Sequence, residues 1–279
     1  MKQLLINDII KRSAIKYQKD FLVKKQAVLD SLNNLKIEFN EASEIDYLNL
    51  IINEYDKIIL AEPLEIKNVL LPIFSNLSHT VINNNSFANH IINAMKYKDV
   101  REHFFINVIR ESEINTCVYC HSQSLVIVDI LYKRSSEKNG IKYKAGDVRM
   151  QKAFLELDHY YPKTKYPFLC TSFYNLYPIC SNCNKSKKDK KLDFFEFYIS
   201  DESERQFFEF KISDDSKTKF LSSFKKEDIE VKLSGSNAKN TYEYNRMFSI
   251  DLRYNKYKDI IEELFHKRNV YNNIYKDSI

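Results

Sequence analysis

LELDHYYPKTKYPFLCTSFYNLYPICSNCNKSKK, residues 155–188, is the stretch whose reading decides the fold. Its first residues alternate. Ala153, Leu155 and Leu157 interleave with Phe154, Glu156 and Asp158, the period-2 pattern of a strand. That strand is expected to end in a turn near Pro162. Pro167 and Pro178 exclude regular helix and central strand between them, because proline lacks the N–H that either would need. A CxxC pair, Cys180 and Cys183, leads directly into Asn184, where a lysine-rich helix is expected to begin.

Upstream lies a second CxxC, Cys117 and Cys120. Each CxxC turn sets two sulfurs on one side of a tight bend, and two such turns match tetrahedral zinc. Four cysteines leave no open position for a metal-bound water, so the zinc is expected to be structural. An iron–sulfur cluster is the lesser alternative, and four merely buried thiols the bland one. Cys170 has no partner at metal-binding spacing and reads as a small core residue. His121 follows Cys120 but is redundant beside four cysteines.

Four further residues suit phosphodiester hydrolysis, which needs a base for the attacking water and positive charge for the phosphorane. His159 supplies an imidazole that titrates near neutrality. Asp158 and Asn184 supply oxygens suited to a hard cation. Asn175 can orient His159. Each has a duller explanation when taken alone, as a turn, cap or strand-end residue. Neighbours in a regular strand also face opposite ways. Asp158 and His159 can therefore serve one site only if the strand ends or bends between them.

In combination, CVYC, then LELDHYYPK, then YNLYPICSNCNKSKKDK resembles the HNH endonuclease family over residues 117–191. The resemblance implies a ββα-metal fold with a zinc knuckle and cleavage of nucleic acid with one divalent cation. It casts His159 as general base and Asn175 as the residue orienting it. Asp158 and Asn184 become the ligands of a catalytic Mg²⁺ or Mn²⁺. The last signature position is Asn rather than His, which favours these hard ions. Lys163, Lys165, Lys185, Lys187, Lys188, Lys190 and Lys191 bracket the site and read as phosphate contacts. Tyr160, Tyr161 and Tyr166 suit base stacking or a core equally. The implied substrate is DNA ahead of RNA. The YNKYKDIIEELFHKR segment and the loop wording are similar to nucleases of anti-phage Septu and retron systems, which implies a partner ATPase.

Outside this stretch the expectations are structural. Leu125 to Tyr132 is short, apolar and β-branched, the pattern of a buried strand, with a return strand at Ile141 and Tyr143. Residues 1–100 read as helical, with Leu22, Leu29, Leu32 and Leu35 on one side of an early helix. Ser43 and Asp46 are expected to cap the helix that carries Leu48, Ile51, Tyr55 and Ile58, with a break at Glu62-Pro63. His79 and His90 read as surface or capping residues. Val100, Phe104, Phe105, Val108 and Ile109 mark a further helix. Residues 201–279 read as a strand-and-helix region: Phe208, Phe210 and Ile212 alternate, as do Ile229, Val231 and Leu233. Tyr254, Tyr257, Ile261, Leu264 and Phe265 then recur at helical spacing. The expected class is α+β, with a helical region over 1–100, a zinc-stapled nuclease unit over 101–200 and a C-terminal α+β region.

The 279 residues are 44% hydrophobic and 14% aromatic, enough for a packed core. Only three glycines occur, which disfavours a glycine-rich phosphate loop. No membrane-length apolar run and no signal peptide stand out, so a cytoplasmic protein is expected, with its five cysteines as thiols or ligands. The net charge of +5 permits a polyanionic partner without requiring one. The competing reading is a zinc-stabilised nucleic-acid-binding or adaptor module without catalysis. It would need the zinc and the lysines but not Asp158, His159 and Asn184.

Overall fold

The computed structural model describes residues 3–82, 84–112, 114–138, 140–205 and 208–271. The chain is α+β and divides into two compact units, residues 3–205 and a C-terminal unit from 206 onward.

In the first unit, α1 (Asp8–Leu22) begins where the Asn7 side chain accepts hydrogen bonds from the backbone N–H groups of Ile9 and Ile10, both at 3.1 Å. It buries Ile10, Ala14, Tyr17 and Phe21, a stripe at helical spacing. α2 (Lys25–Glu38) buries Val28 and Leu32, whereas Leu22 is exposed. α3 (Ala42–Leu60) opens on a reciprocal box between Glu41 and Glu44 in place of the expected Ser43 and Asp46. Glu44 is itself buried and accepts a hydrogen bond from Asn84 at 3.1 Å, so the box is held by tertiary contact. As expected, the helix stops before Pro63, which starts the next helical turn. α4 (Asn85–Ala94) follows, and then helical turns over Tyr97–Asp99, Val100–Phe104 and Phe105–Glu111, the middle one a π-turn.

These helices pack around residues 160–175 and do not form a separate body. Phe74 stacks on Phe168 with ring centroids 3.8 Å apart and planes 3° apart. Phe105 and Tyr17 both lie 5.7 Å from Phe173, and the Tyr17 hydroxyl donates to the Thr171 carbonyl at 2.6 Å. A short strand near the N-terminus, β1 (Leu4–Leu5), pairs in parallel with the later Tyr198–Ile199, which closes the unit.

Between the CxxC pairs runs a ribbon: β2 (Val126–Leu131), β3 (Ser136–Lys138), β4 (Ile141–Tyr143) and β5 (Val148–Phe154). β2 pairs antiparallel with β5, and β3 with β4. The expected return strand at Ile141 and Tyr143 therefore closes only the tip, while the partner of the apolar run is Val148–Phe154. The expected burial also fails. Val126, Val128, Ile130 and Leu131 are all exposed, because no element among the described residues covers that face.

β6 (Glu156–His159) and β7 (Leu176–Ile179) form a second antiparallel pair, with Asp158 opposite Tyr177 and His159 opposite Leu176. Pro178 lies within β7, which is an edge strand and not the central strand that the proline excludes. The pair has only two strands, so an edge remains where the missing N–H costs nothing. α5 (Ser181–Lys187) follows β7, and β8 (Tyr198–Ile199) ends the unit.

The C-terminal unit pairs β9 (Phe208–Ile212) with β10 (Val231–Gly235), the two strands expected. α6 (Asp214–Ser223), α7 (Ala238–Phe248) and α8 (Lys258–Val270) accompany them. Its core centres on Phe220, Ile229 and Val231, with Ile212, Tyr254, Ile261 and Phe265 packed against it. Among the described residues no helix is long and apolar enough to cross a membrane.

Candidate functional site

The four cysteines converge. The sulfurs of Cys117, Cys120, Cys180 and Cys183 all lie within 4.8 Å of one another, and all four residues are buried. The Cys120 and Cys180 sulfurs are 3.9 Å apart. A zinc about 2.3 Å from each of four sulfurs would set neighbouring sulfurs roughly 3.8 Å apart, so the cluster could hold such an ion. The local chain explains the geometry. His121 N–H donates to the Cys117 carbonyl at 2.9 Å, and His121 takes a left-handed conformation (φ 51°) that closes the turn. The His121 ring nitrogen Nδ1 lies 3.4 Å from the Thr116 hydroxyl. Val118 N–H reaches the Pro178 carbonyl at 3.3 Å, which docks this knuckle on β7 beside the second one.

β6 carries Asp158 and His159 at its C-terminal end. The strand pairing ends at His159, with one further backbone bond from Tyr160 N–H to the Asn175 carbonyl at 3.0 Å, and both neighbours line one cleft. The cleft, of about 450 Å³, is also lined by Leu157, Pro162, Lys163, Asn184, Lys185, Lys188 and Asp189.

His159 is buried, and its Nε2 donates to the Cys170 carbonyl at 3.0 Å. That bond fixes the tautomer and leaves Nδ1 as the proton acceptor. The Tyr97 ring lies 4.8 Å from the imidazole. Burial, with the Lys163 charge second, lowers the His159 pKa to about 3, so the ring is neutral at physiological pH. Lys163 sits over the Tyr97 ring at 4.4 Å, and burial lowers its own pKa.

Asp158 is held tightly. Lys187 Nζ lies 3.0 Å from Oδ1 and 2.9 Å from Oδ2, and the Tyr119 hydroxyl donates to Oδ2 at 2.7 Å. Lys187 also donates to the His159 carbonyl at 3.1 Å. Burial raises the Asp158 pKa, opposed by the Lys187 charge and the Tyr119 hydrogen bond. Lys187, expected among the phosphate-contacting lysines, is fully buried in this ion pair. The cause lies in the helix: Cys183 and Lys187 are one turn apart on its buried face.

Asn184 stands on the first turn of α5, and its Nδ2 donates to Glu156. Glu156 lies two residues before Asp158 on β6, and strand alternation puts both on one side. Sequence reasoning passed over Glu156, although that period-2 spacing marks it. It also passed over Tyr119, which sits inside the first CxxC and so ties the cysteine cluster to Asp158.

Asn175 does not touch the imidazole. Its Oδ1 accepts from Tyr161 N–H at 2.7 Å, and its Nδ2 donates to the carbonyls of Tyr161 at 3.2 Å and Leu169 at 3.0 Å. It pins the loop whose next residue, Cys170, holds His159.

The remaining lysines scatter. Lys185 and Lys188 are exposed at the cleft, and Lys190 is exposed beyond it. Lys191 pairs with Asp193 at 2.8 Å and lies over the Tyr161 ring at 4.7 Å. Lys165 lines a different cavity with Tyr47, Phe74 and Phe168. Tyr160 and Tyr161 are buried, and Tyr160 stacks on Tyr177 at 5.6 Å, so both belong to the core. A comparison of the chain with protein-family models, curated proteins and solved structures finds no match.

Proposed function

We propose that the protein is a metal-dependent endonuclease of the HNH kind, with β6, β7 and α5 as its ββα unit. One observation carries the reading: Asp158, His159 and Asn184 line a single cleft rimmed by Lys163, Lys185 and Lys188. With Nε2–H committed to the Cys170 carbonyl, Nδ1 is the atom of the neutral imidazole that can take a proton, although burial makes the ring a weaker base than a free histidine. In the proposed step a water oxygen bonds to phosphorus, its proton passes to Nδ1 of His159, and the bridging ester oxygen leaves. Lys185 and Lys188 hold the phosphate backbone by charge.

The oxygen donors at the cleft fit a hard cation: Asn184 keeps its Oδ1 free of the Glu156 hydrogen bond, and two carboxylates stand on the same strand. Asp158 and Asn184 would hold Mg²⁺ or Mn²⁺, with Glu156 beside them. When bound, that ion supplies positive charge for the phosphorane and the leaving oxygen. Zinc in the cysteine cluster would be structural. DNA is the proposed substrate ahead of RNA, and a partner ATPase of an anti-phage system is the proposed regulator.

The non-catalytic reading has its own support, since the Asp158 carboxylate is already neutralised by Lys187 and Tyr119. Incubation of the purified chain with plasmid and Mg²⁺ or Mn²⁺ separates the two. Nicking or linearisation lost in His159→Ala is the expected result. Intact DNA and RNA with either metal, with and without a co-purified ATPase, would sink the nuclease.

A further inference from the structure

The ribbon β2–β5 is not part of the cleft. Its register puts Val126, Val128, Ile130, Met150, Lys152 and Phe154 on one face, and all six are exposed. Between Tyr132 and Lys152 stand seven basic residues against two acidic ones, a net of +5 that equals the net charge of the whole chain. The rest of the chain is therefore neutral in sum. Elsewhere basic side chains are often paired, as Lys16, Lys25, Lys57 and Arg110 are with nearby carboxylates. Among the described residues, none of the ribbon's seven forms such a pair. An excess of unpaired cations on an exposed element raises self-repulsion and gives the fold nothing, but it suits a polyanion.

We propose that this ribbon is an arm that enters the major groove of duplex DNA. Shape favours that partner. The major groove of B-DNA is about 12 Å wide and admits a two-stranded ribbon, whereas the major groove of duplex RNA is too narrow for side chains to read. The Tyr132 carbonyl accepts from Gly146 N–H and the Tyr132 N–H donates to the Asp147 carbonyl, both at 2.9 Å, so the tip continues the ladder. Lys133, Arg134, Lys138, Lys142 and Lys144 surround that tip, placed for phosphates on the groove walls. Val128, Ile130 and Met150 on the exposed face can lie on thymine methyl groups. Position favours it too: β5 passes into β6, and so to Asp158 and His159, through the single residue Leu155. The proposal rests on the nuclease reading for its purpose, because the arm would seat duplex DNA beside the cleft.

The test uses the full chain and a fluorescein-labelled 30-base-pair DNA duplex, followed by anisotropy with no added divalent ion. The variant replaces Lys133, Arg134, Lys138, Lys142 and Lys144 with Gln. A charge-matched control replaces the ion-paired Lys16, Lys25, Lys57, Lys217 and Lys219 with Gln. Unchanged thermal melting shows that both fold. The ribbon variant is expected to bind at least about 10-fold more weakly at 150 mM salt, and the salt slope to shrink by about 0.9 for each phosphate that is no longer neutralised. The control is expected to keep wild-type affinity. Equal affinity of wild type and ribbon variant overturns the arm, as does an equal loss in the control. Equal binding of duplex RNA overturns insertion into the DNA groove. A ribbon variant that changes the oligomeric state while DNA affinity holds also overturns it, and makes the ribbon a contact between copies. Ribbon-dependent binding without cleavage in Mg²⁺ or Mn²⁺, with and without a co-purified ATPase, supports the arm and removes the nuclease.

Discussion

Two antiparallel strand pairs follow one another in this chain and have opposite surroundings. β6–β7 is enclosed: Leu176, Tyr177 and Ile179 are exposed by 1% or less. β2–β5 is open: Val126 is 44% exposed and Leu131 48%. β2 (VIVDIL) and β7 (LYPI) are both apolar strands in sequence. The difference is the supply of neighbours. The enclosed pair has a cysteine knuckle docked through Val118 on one strand, and Tyr97 of the helical layer against His159. Among the described residues the ribbon has its cross-strand pairs, which contribute tenths of a kcal/mol each, and an exposed ion pair from Arg110 to Asp129 on β2. Apolar content proposes a strand, but the layers packed on it decide its burial.

The sharpest way to break this contrast is to remove the cysteine cluster. Cys183→Ser, or a strong zinc chelator, should abolish metal content by elemental analysis and collapse the near-ultraviolet dichroism of the tyrosine-rich site. Structural zinc contributes on the order of 10 kcal/mol or more in small zinc domains. Wild-type melting and full metal content in Cys183→Ser would show that the enclosed pair stands without it.

Lys187→Met should cost about 3–5 kcal/mol, because it strands the buried Asp158 carboxylate. The double variant Asp158→Asn with Lys187→Met should recover most of that loss, since a neutral pair needs no counter-charge. Urea midpoints measure both. A loss under about 1 kcal/mol in the single variant would mean that the ion pair does not govern the site.

The third effect is the pH dependence of His159. Its folded pKa is lowered to about 3, while an unfolded histidine titrates near 6.5. Between those values the unfolded chain binds the extra proton, so stability is full above the unfolded pKa and falls as pH drops. From pH 6.5 to 5 the wild type should lose roughly 2 kcal/mol relative to His159→Gln, at about 1.4 kcal/mol per unit. Parallel stability curves would show that the imidazole is protonated equally in both states.

How much of this was legible in sequence follows from range. Cysteine spacing is local, so the cluster could be read from CVYC and CSNC. The end of β6 ahead of Pro162 is also local, and so is a helix at the second knuckle, although α5 starts at Ser181, three residues before the expected Asn184. Lys187 was not legible, because it stands among five lysines of similar appearance and only the helix turn shared with Cys183 buries it. The role of Asn175 was misread because its partners, Tyr161 and Leu169, are backbone groups that carry no sequence signal. Glu41 displaced Ser43 as the α3 cap because its partner Glu44 is anchored by Asn84, forty residues away.

The smallest expected effect tests the open side of the comparison. Ile130 faces solvent beside Met150, its cross-strand partner. Ile130→Thr keeps the β-branch and should change stability by no more than about 0.5 kcal/mol, the range of surface substitutions. Ile179→Thr in β7 should cost several times more, since a hydroxyl replaces apolar atoms in a site with no exposure. Urea midpoints for the pair measure the contrast directly. Equal losses would mean that the ribbon face is covered in solution, and the unpaired lysines at its tip would then belong to an interface whose apolar half is already filled.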